Sequence, residues 1–298
     1  MGRRTTAILA ILYVVSVFAS AGVVEFVDPS LEAALRSAVE RPSGSLYEYH
    51  LDDLEQLDAS GCGIVSLEGL QFCTGLTSLD LRDNELVDLG PLQNLWQLRE
   101  LSLSSNRISD LSPLMHLSNL TVLRLAGNEI SCLEALAALA GANEDAPLLE
   151  ELDLSDNQIA DLSPLSPLAF LKRLTLSDNA IVDIGPLASL TRLASLNLNH
   201  NAIVDIYALA GMQDLQILAL EGNLVDDIRV LAELPSLFCL WLNDNAVTNL
   251  QPLVDNVGIG YFDRIYLCGN PLDKDPDSAA SAVIQALTRR GAYVYDCP

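Results

Sequence analysis

Positive charge is scarce in this sequence. Sixteen Lys and Arg stand against 40 Asp and Glu, for a formal net charge of −24. A chain of that sign is repelled by nucleic acid and by anionic membranes, so neither is an expected partner. Histidine is scarcer still: His50, His116 and His200 are the only three, and they show no metal-ligand spacing. G-x-S-x-G, H-E-x-x-H and a glycine-rich phosphate loop are all missing, which removes the commonest nucleophile, zinc and nucleotide chemistries. Carboxylates are abundant, yet they form no recognisable catalytic pair, and the loops lack the dense alternating ligands of a calcium site. The expectation is a non-enzymatic protein without cofactor or metal. Aromatic residues make up only 5% of the chain, so each exposed one carries weight.

Long apolar runs are also lacking, except at the start. Arg3 and Arg4 precede an apolar stretch from Ala7 to Phe18, and Ala19-Ser20-Ala21 fits a small-x-small cleavage site. Residues 1–21 are therefore expected to be an export signal; an uncleaved anchor is the alternative, because apolar character continues to Val24. Either way the remainder is exported, secreted or held at the cell surface. Without residues 1–21, 14 basic residues face 40 acidic ones, giving −26.

What the chain has in quantity is one repeated pattern. In the stretch LTLSDNAIVDIGPLASLTRL, from Leu174 to Leu193, take Asn179 as origin: Leu or Ile sits at offsets −5, −3, +2, +5, +8, +11 and +14. The same Asn recurs as Asn84, Asn106, Asn128, Asn157, Asn179, Asn201, Asn223, Asn245 and Asn270, in steps of 22 apart from one of 29 and one of 25. Cys62 holds the position one unit earlier, which makes ten units. Alternation in L-T-L-S predicts a short strand, with Leu174 and Leu176 inward and Arg173, Thr175 and Ser177 outward. The Asn is expected to turn inward and satisfy backbone groups of its own and adjacent units. Asp at +4 (Asp88, Asp110, Asp161, Asp183, Asp205, Asp227) suits a cap, and Pro at +7 (Pro91, Pro113, Pro164, Pro186, Pro252) suits the start of a helical turn. The return segment is too short for a full α-helix, so 3₁₀ turns are expected there.

A period of 20–29 residues with this leucine spacing is the leucine-rich-repeat signature. The nine N-x-[ILV] units resemble the 22-residue repeats of bacterial internalin-like proteins and of a eukaryotic phosphatase-regulating subunit. The resemblance covers roughly residues 54–272. It implies an α/β solenoid: an arc with a parallel concave sheet, short 3₁₀ or helical segments on the convex side, and helical caps at both ends. It also implies a binding scaffold, without naming a ligand.

The expected organisation is residues 1–21 as signal, 22–54 as N-terminal helical cap, 55–270 as ten repeats and 271–298 as C-terminal cap. Asp28-Pro29 starts a helix with Leu31, Ala34, Leu35, Ala38 and Val39 on one face. A second helical stretch is expected around Tyr47 to Leu54. At the other end Asp275-Pro276 reads as a helix start, Gly291 as its end, and Tyr293-Val294-Tyr295 as strand-like. Seven extra residues in the stretch Ala140 to Pro147 form an insertion, either a recognition loop or a tolerated one.

Six cysteines in an exported chain suggest disulfides. Cys62 and Cys73 occupy inward positions and read as buried thiols, while Cys132 and Cys239 lie on different faces of distant units. Cys268 and Cys297 are the expected bonded pair. The outward strand positions, offsets −6, −4 and −2, are short and acidic in the first units (Asp58, Asp80) and carry Ile217, Ala219, Trp241 and Tyr266 in the last three. The candidate partner-binding residues are Asn197, Asn199, Ile217, Trp241, Asn243, Arg264 and Tyr266. Exposed aromatics of this kind make binding hot spots, unless the C-terminal tail folds over them. The acidity reads either as a solvated surface or as a steering field for a basic partner. The functional expectation is a monomeric, exported scaffold holding a protein partner on its concave face, in adhesion or cell-surface assembly. Carbohydrate binding through Trp241 and Tyr266, an intracellular phosphatase-regulatory subunit, and a bare structural spacer are the alternatives.

Overall fold

The computed structural model describes residues 22–140 and 149–297. The expected signal, and the expected insertion from residue 141 onward, fall outside these residues. Eleven three-residue strands among the described residues form one parallel sheet in strict sequence order. They are β1 (Gln56–Asp58), β2 (Ser78–Asp80), β3 (Glu100–Ser102), β4 (Val122–Arg124), β5 (Glu151–Asp153) and β6 (Arg173–Thr175), then β7 (Ser195–Asn197), β8 (Ile217–Ala219), β9 (Cys239–Trp241), β10 (Arg264–Tyr266) and β11 (Tyr293–Tyr295). Each strand from β1 to β10 buries its central residue, and β11 half-buries Val294, while the two flanking residues turn to the open face, as the period of two demands.

The asparagine ladder explains why units stack at one period. In each unit the Asn Oδ1 accepts from the +2 amide of the unit before, as in Asn179 with the Ile159 amide at 2.9 Å. Its Nδ2 donates to carbonyls of both units, for Asn179 those of Leu154 (3.0 Å), Leu176 (3.2 Å) and Ser177 (3.1 Å). One side chain thus pairs backbone groups that the 3.6- or 2-residue periodicities leave unmatched. The ladder runs unbroken across the insertion, since Asn157 still reaches the Leu125 carbonyl at 3.0 Å and the Ile130 amide at 3.0 Å.

A second column lies one residue earlier. Asp83, Ser105, Asp156, Asp178, His200 and Asp244 all have φ between 51° and 58°, and Gly61, Gly127, Gly222 and Gly269 fill the same position with positive φ. Only glycine and small polar residues adopt this conformation at little cost. The chain turns sharply here off the sheet. Five residues later the +4 Asp accepts the amide two residues on, as in Asp183 with Gly185 (2.7 Å) and Asp110 with Ser112 (2.8 Å). Short 3₁₀ turns follow, among them Gly90–Leu92, Ser112–Leu114, Ser163–Leu165 and Gly185–Ser189. Leucines at every third residue close the core, which runs continuously from Val24 to Ala292.

The ends depart from the template. At the N-terminus α1 (Pro29–Ala38) packs on β1, and Asp28 joins the two. Its Oδ1 accepts the Ser30 amide at 2.8 Å, capping the helix, while Oδ2 accepts the amides of Val65 (2.6 Å) and Ser66 (3.2 Å) in the first repeat. Burial pushes the Asp28 carboxyl up, but these amide donors together outweigh it and hold it below the usual range. Cys62 corrects the expectation of a buried thiol: it is exposed, its Sγ near the Ser60 carbonyl at 3.5 Å. No repeat precedes it, and the helix contacts the first unit at Val65 and Ser66 instead. Cys73 is buried as expected, and desolvation pushes its thiol up to about 12.

Towards the C-terminus the return segment of the ninth unit is α2 (Gln251–Asp255), an α-helix rather than the 3₁₀ turn of its predecessors. The closing helix α3 (Ala279–Arg289) begins later than Asp275-Pro276 implies. Ser278 is the N-cap, accepting the Ser281 amide at 3.1 Å, while Asp275 organises the turn ahead of it. Asn256, off the ladder and fully buried, donates to the carbonyls of Leu231 (2.6 Å) and Leu234 (2.9 Å) and accepts from Gly258 (2.8 Å). Gly258 has no alternative: a Cβ there would sit 1.9 Å from the Pro235 carbonyl oxygen. Cys268 and Cys297 form a disulfide with a Cα–Cα distance of 4.8 Å, tying β10 to the segment after β11.

Candidate functional site: the open face of the sheet

The open face is made of three rows that cross the strands at offsets −6, −4 and −2. Parallel pairing without slippage puts equal offsets side by side, as in Ala219↔Trp241↔Tyr266↔Tyr295 and Ile217↔Cys239↔Arg264↔Tyr293. The seven candidate residues therefore do converge on β7 to β10 and the turns just after them. Ile217 and Arg264 belong to the −6 row, Asn197, Trp241 and Tyr266 to the −4 row, and Asn199 and Asn243 to the −2 row.

Their side chains are not equally available. The Asn199 carbonyl oxygen accepts the Glu221 amide at 2.8 Å and that of Asn243 accepts the Cys268 amide at 2.9 Å. Asn197 accepts the Asn199 amide at 3.0 Å, and the Asn243 amide donates to the Glu221 carboxylate at 2.9 Å. These asparagines thus hold the ends of the strands. The acidic −4 positions do the same at the other end: Asp58 accepts from Ser60 (3.0 Å) and Asp153 from Ser155 (3.0 Å). The serine hydroxyl and amide hold the Asp58 carboxyl below the usual range. Part of the acidity of this face is therefore structural.

The aromatic row is the feature that the backbone does not consume. Trp241 and Tyr266 stack with centroids 5.6 Å apart and planes within 2°, and Tyr266 and Tyr295 stack at 4.6 Å and 8°. Equal offsets on parallel strands about 4.8 Å apart present flat rings at stacking distance. The tail does not fold over Trp241 and Tyr266: both are half-buried, and β11 lengthens the row with an exposed Tyr295. The expectation of four apolar residues side by side needs one change, because Ala219 is buried, as is Cys239 in the neighbouring row. Short side chains there are roofed by longer neighbours. Tyr293 stacks on Phe262 at 6.2 Å, widening the aromatic zone at the sheet edge. Tyr295 and Tyr293 were not among the sequence candidates. Their signal was the Tyr-Val-Tyr alternation, which becomes an eleventh strand only when the tail returns to the sheet.

The middle of the face is charged. Glu151 lies between two arginines, with Arg124 Nη2 at 2.6 Å and Arg173 Nε at 2.8 Å. Burial pushes its carboxyl up, and the hydrogen bonds from Arg173 and Arg124 more than reverse that. Over the three rows, six acids (Asp58, Asp80, Glu100, Glu151, Asp153, Glu221) face four arginines (Arg82, Arg124, Arg173, Arg264). The open face is thus close to neutral in a strongly acidic chain. Among the described residues no group of three or more His, Cys, Asp or Glu side chains could hold a metal ion. No helix among them is long and apolar enough to cross a membrane.

An open parallel sheet with a graded, partly aromatic surface on a leucine-stacked solenoid defines a leucine-rich-repeat protein-interaction scaffold. The family described as Leucine Rich repeats (2 copies) matches residues 96–138, 147–189 and 170–211. Internalin C2 of Listeria monocytogenes is 34% identical, covers 72% of this chain and 92% of its own, and superposes with a TM-score of 0.67. Internalin F of the same organism is 28% identical over 92% of this chain and 91% of its own, with a TM-score of 0.57. A leucine-rich-repeat protein of Leptospira interrogans, at 24% identity over 83% of this chain and 62% of its own, shares the fold with a TM-score of 0.72. No curated protein matches the chain by sequence. The chain belongs to the internalin-like leucine-rich-repeat proteins.

Proposed function

We propose that this protein is an exported, non-enzymatic scaffold that holds a protein partner on the open face of its sheet, at the β8 to β11 end. The observation that carries this reading is the Trp241–Tyr266–Tyr295 row, bordered by Ile217 and Arg264 and left uncovered by the tail. Large, rigid aromatics that expose apolar area, with an arginine beside them, are the residues in which binding energy concentrates. Export rests on the N-terminal apolar stretch, and a role in adhesion or cell-surface assembly rests on that export together with family membership.

Carbohydrate binding is the weaker reading. A sugar ring stacks on an aromatic face, and Tyr266 has a neighbouring ring on both sides. The phosphatase-subunit reading requires a cytosolic protein with an intact N-terminus. The test is capture from cell-surface extracts by residues 22–298, run beside Trp241→Ala. A protein retained by the parent and lost from the variant, at a cost of at least about 2 kcal/mol, supports the reading. Equal capture by both moves the site away from the aromatic row. Binding restricted to a glycan array favours the carbohydrate reading.

A further inference from the structure

The net acidity of this protein lies less on the open face, where arginines offset most of the acids, than along one flank. Between offset −1 and the start of the 3₁₀ turn at +6, each unit leaves the C-terminal end of its strand and crosses to the far side. These connections are held in register by main-chain bonds from each +1 amide to the +2 carbonyl of the unit before: Ala180 to Ile159, Ala202 to Ile181, Leu224 to Ile203 and Ala246 to Val225, each 2.9 Å. Columns on this flank are therefore as well aligned as rows on the sheet.

The +1 column changes character halfway along. At +1 the earlier units carry Glu85, Arg107, Glu129 and Gln158; the later ones carry Ala180, Ala202, Leu224 and Ala246. At +3 exposed valines occur in both halves, as Val65 and Val87 early and Val182 and Val204 late, so only in the later units do they adjoin an apolar +1 column, and Tyr207 stands at +6. These are not core positions. Val182 is 60% exposed, Val204 48%, Leu224 57% and Tyr207 71%. Val204 and Tyr207 line one depression, shared with Asp205, Asp226, Asp227 and Arg229, and Val182 and Val204 line the next. On one side of this apolar strip lie Asp178 and Asp244, and on the other Asp183, Asp205 and Asp227, all exposed. From the Asn179 unit to the Asn245 unit the one Lys or Arg within these columns is Arg229, and it is already paired with Asp227 (Nε–Oδ2 2.8 Å).

We propose that this flank, from the Asn179 unit to the Asn245 unit, is a second contact surface that takes a basic segment of a protein partner with apolar side chains interspersed. Four units at about 4.8 Å give a strip of roughly 15 Å, the reach of a short peptide segment. Apolar side chains of the segment cover Val182, Val204 and Leu224, and its Lys or Arg side chains meet the carboxylates on either side. Asp183 and Asp205 each spend one oxygen on a backbone amide, which leaves the other to meet the partner, whereas the second oxygen of Asp227 is held by Arg229. This surface is independent of the aromatic row, which lies on the open face.

The test uses residues 22–298 and two fluorescent probe peptides of equal charge, one alternating Lys with Leu and the other alternating Lys with Ser. The Leu peptide is expected to bind about tenfold more tightly by anisotropy, a difference of one decade in Kd. Val204→Ser with Leu224→Ser should erase that advantage. Asp183→Asn, Asp205→Asn and Asp227→Asn together should weaken both peptides, while an Asn oxygen keeps each turn capped. Trp241→Ala should change neither. Melting curves confirm that each variant is folded. Equal affinity for the two peptides, an advantage that survives the double Ser variant, or a loss caused by Trp241→Ala would each overturn the proposal.

Discussion

The first five repeats and the last five share one interior and differ at the strand rows and the +1 column they show to solvent. In both halves the ladder Asn makes the same bonds to the same backbone atoms, with Asn106 matching Asn201 partner for partner. On the surface the early half is the more charged, with Asp58, Asp80, Glu100, Arg124 and Glu151 on the sheet and Glu85, Arg107 and Glu129 on the flank. The late half carries the aromatic row on one surface and the Val204–Leu224 strip on another. The lesson is that a solenoid separates what holds it up from what it presents. Each repeat contacts only its neighbours, so surface positions vary without cost to the stack.

The comparison is most sharply tested by what is unique to one half. The disulfide between Cys268 and Cys297 closes a loop of 29 residues at the late end only. Replacing both cysteines by alanine should cost about 3–4 kcal/mol in the chain-entropy model. Hydrogen exchange should show β10 and β11 opening ahead of β2 to β5. Uniform loss of protection would mean the halves are not energetically separable.

Next in size is the ladder itself. Asn106→Leu and Asn179→Leu should each destabilise by roughly 1–3 kcal/mol, because carbonyls and an amide of two units lose their partners. Denaturant melts of the two variants should agree closely. A large difference would break the claim of one interior.

The early end has its own tether in Asp28, and it is pH-dependent. Its folded carboxyl titrates below its unfolded value, so its stabilisation is complete above about pH 4 and is lost as pH falls through the lower folded value. Asp28→Ala should cost about 0.5–2 kcal/mol at neutral pH, as loss of a cap. That penalty should shrink on acidification, which a pH series of melting temperatures would follow. A penalty independent of pH would mean that the carboxylate charge is not what joins α1 to the first repeat.

The smallest effect is the most informative about function. Trp241→Ala should lower stability by only about 1 kcal/mol, the scale of an aromatic pair, and not by the 3–5 kcal/mol of a core truncation. Calorimetry on the purified variant distinguishes the two. The larger value would make the aromatic row part of the interior after all.

Much of this was readable in the residues. The N-x-[ILV] phase located every ladder Asn, the +4 Asp column predicted its own amide bonds, and register alone selected Cys268 and Cys297. The left-handed column of Asp, Ser, His and Gly before each Asn was equally visible, since few other residues tolerate that backbone. Side-chain polarity at that column nevertheless resembles ordinary surface. Cys62 matches the ladder by offset, but no preceding repeat stands beside it to bury the thiol. Asn256 had no periodic partner to reveal it.

Sequence by itself determined the repeat, the parallel order, the inward residues and the approximate positions of both ends, because each follows from local periodicity and nearest-neighbour stacking. Tertiary structure decided which outward residues are free. It turned Asn199 and Asn243 toward the next strand and buried Ala219 and Cys239 under longer neighbours. It also brought Tyr295 back from the tail to stack on Tyr266. Those outcomes depend on which side chains stand beside one another across strands 22 to 29 residues apart, and on how a ring or an amide fills the space its neighbours leave. Offsets within one unit do not contain that information.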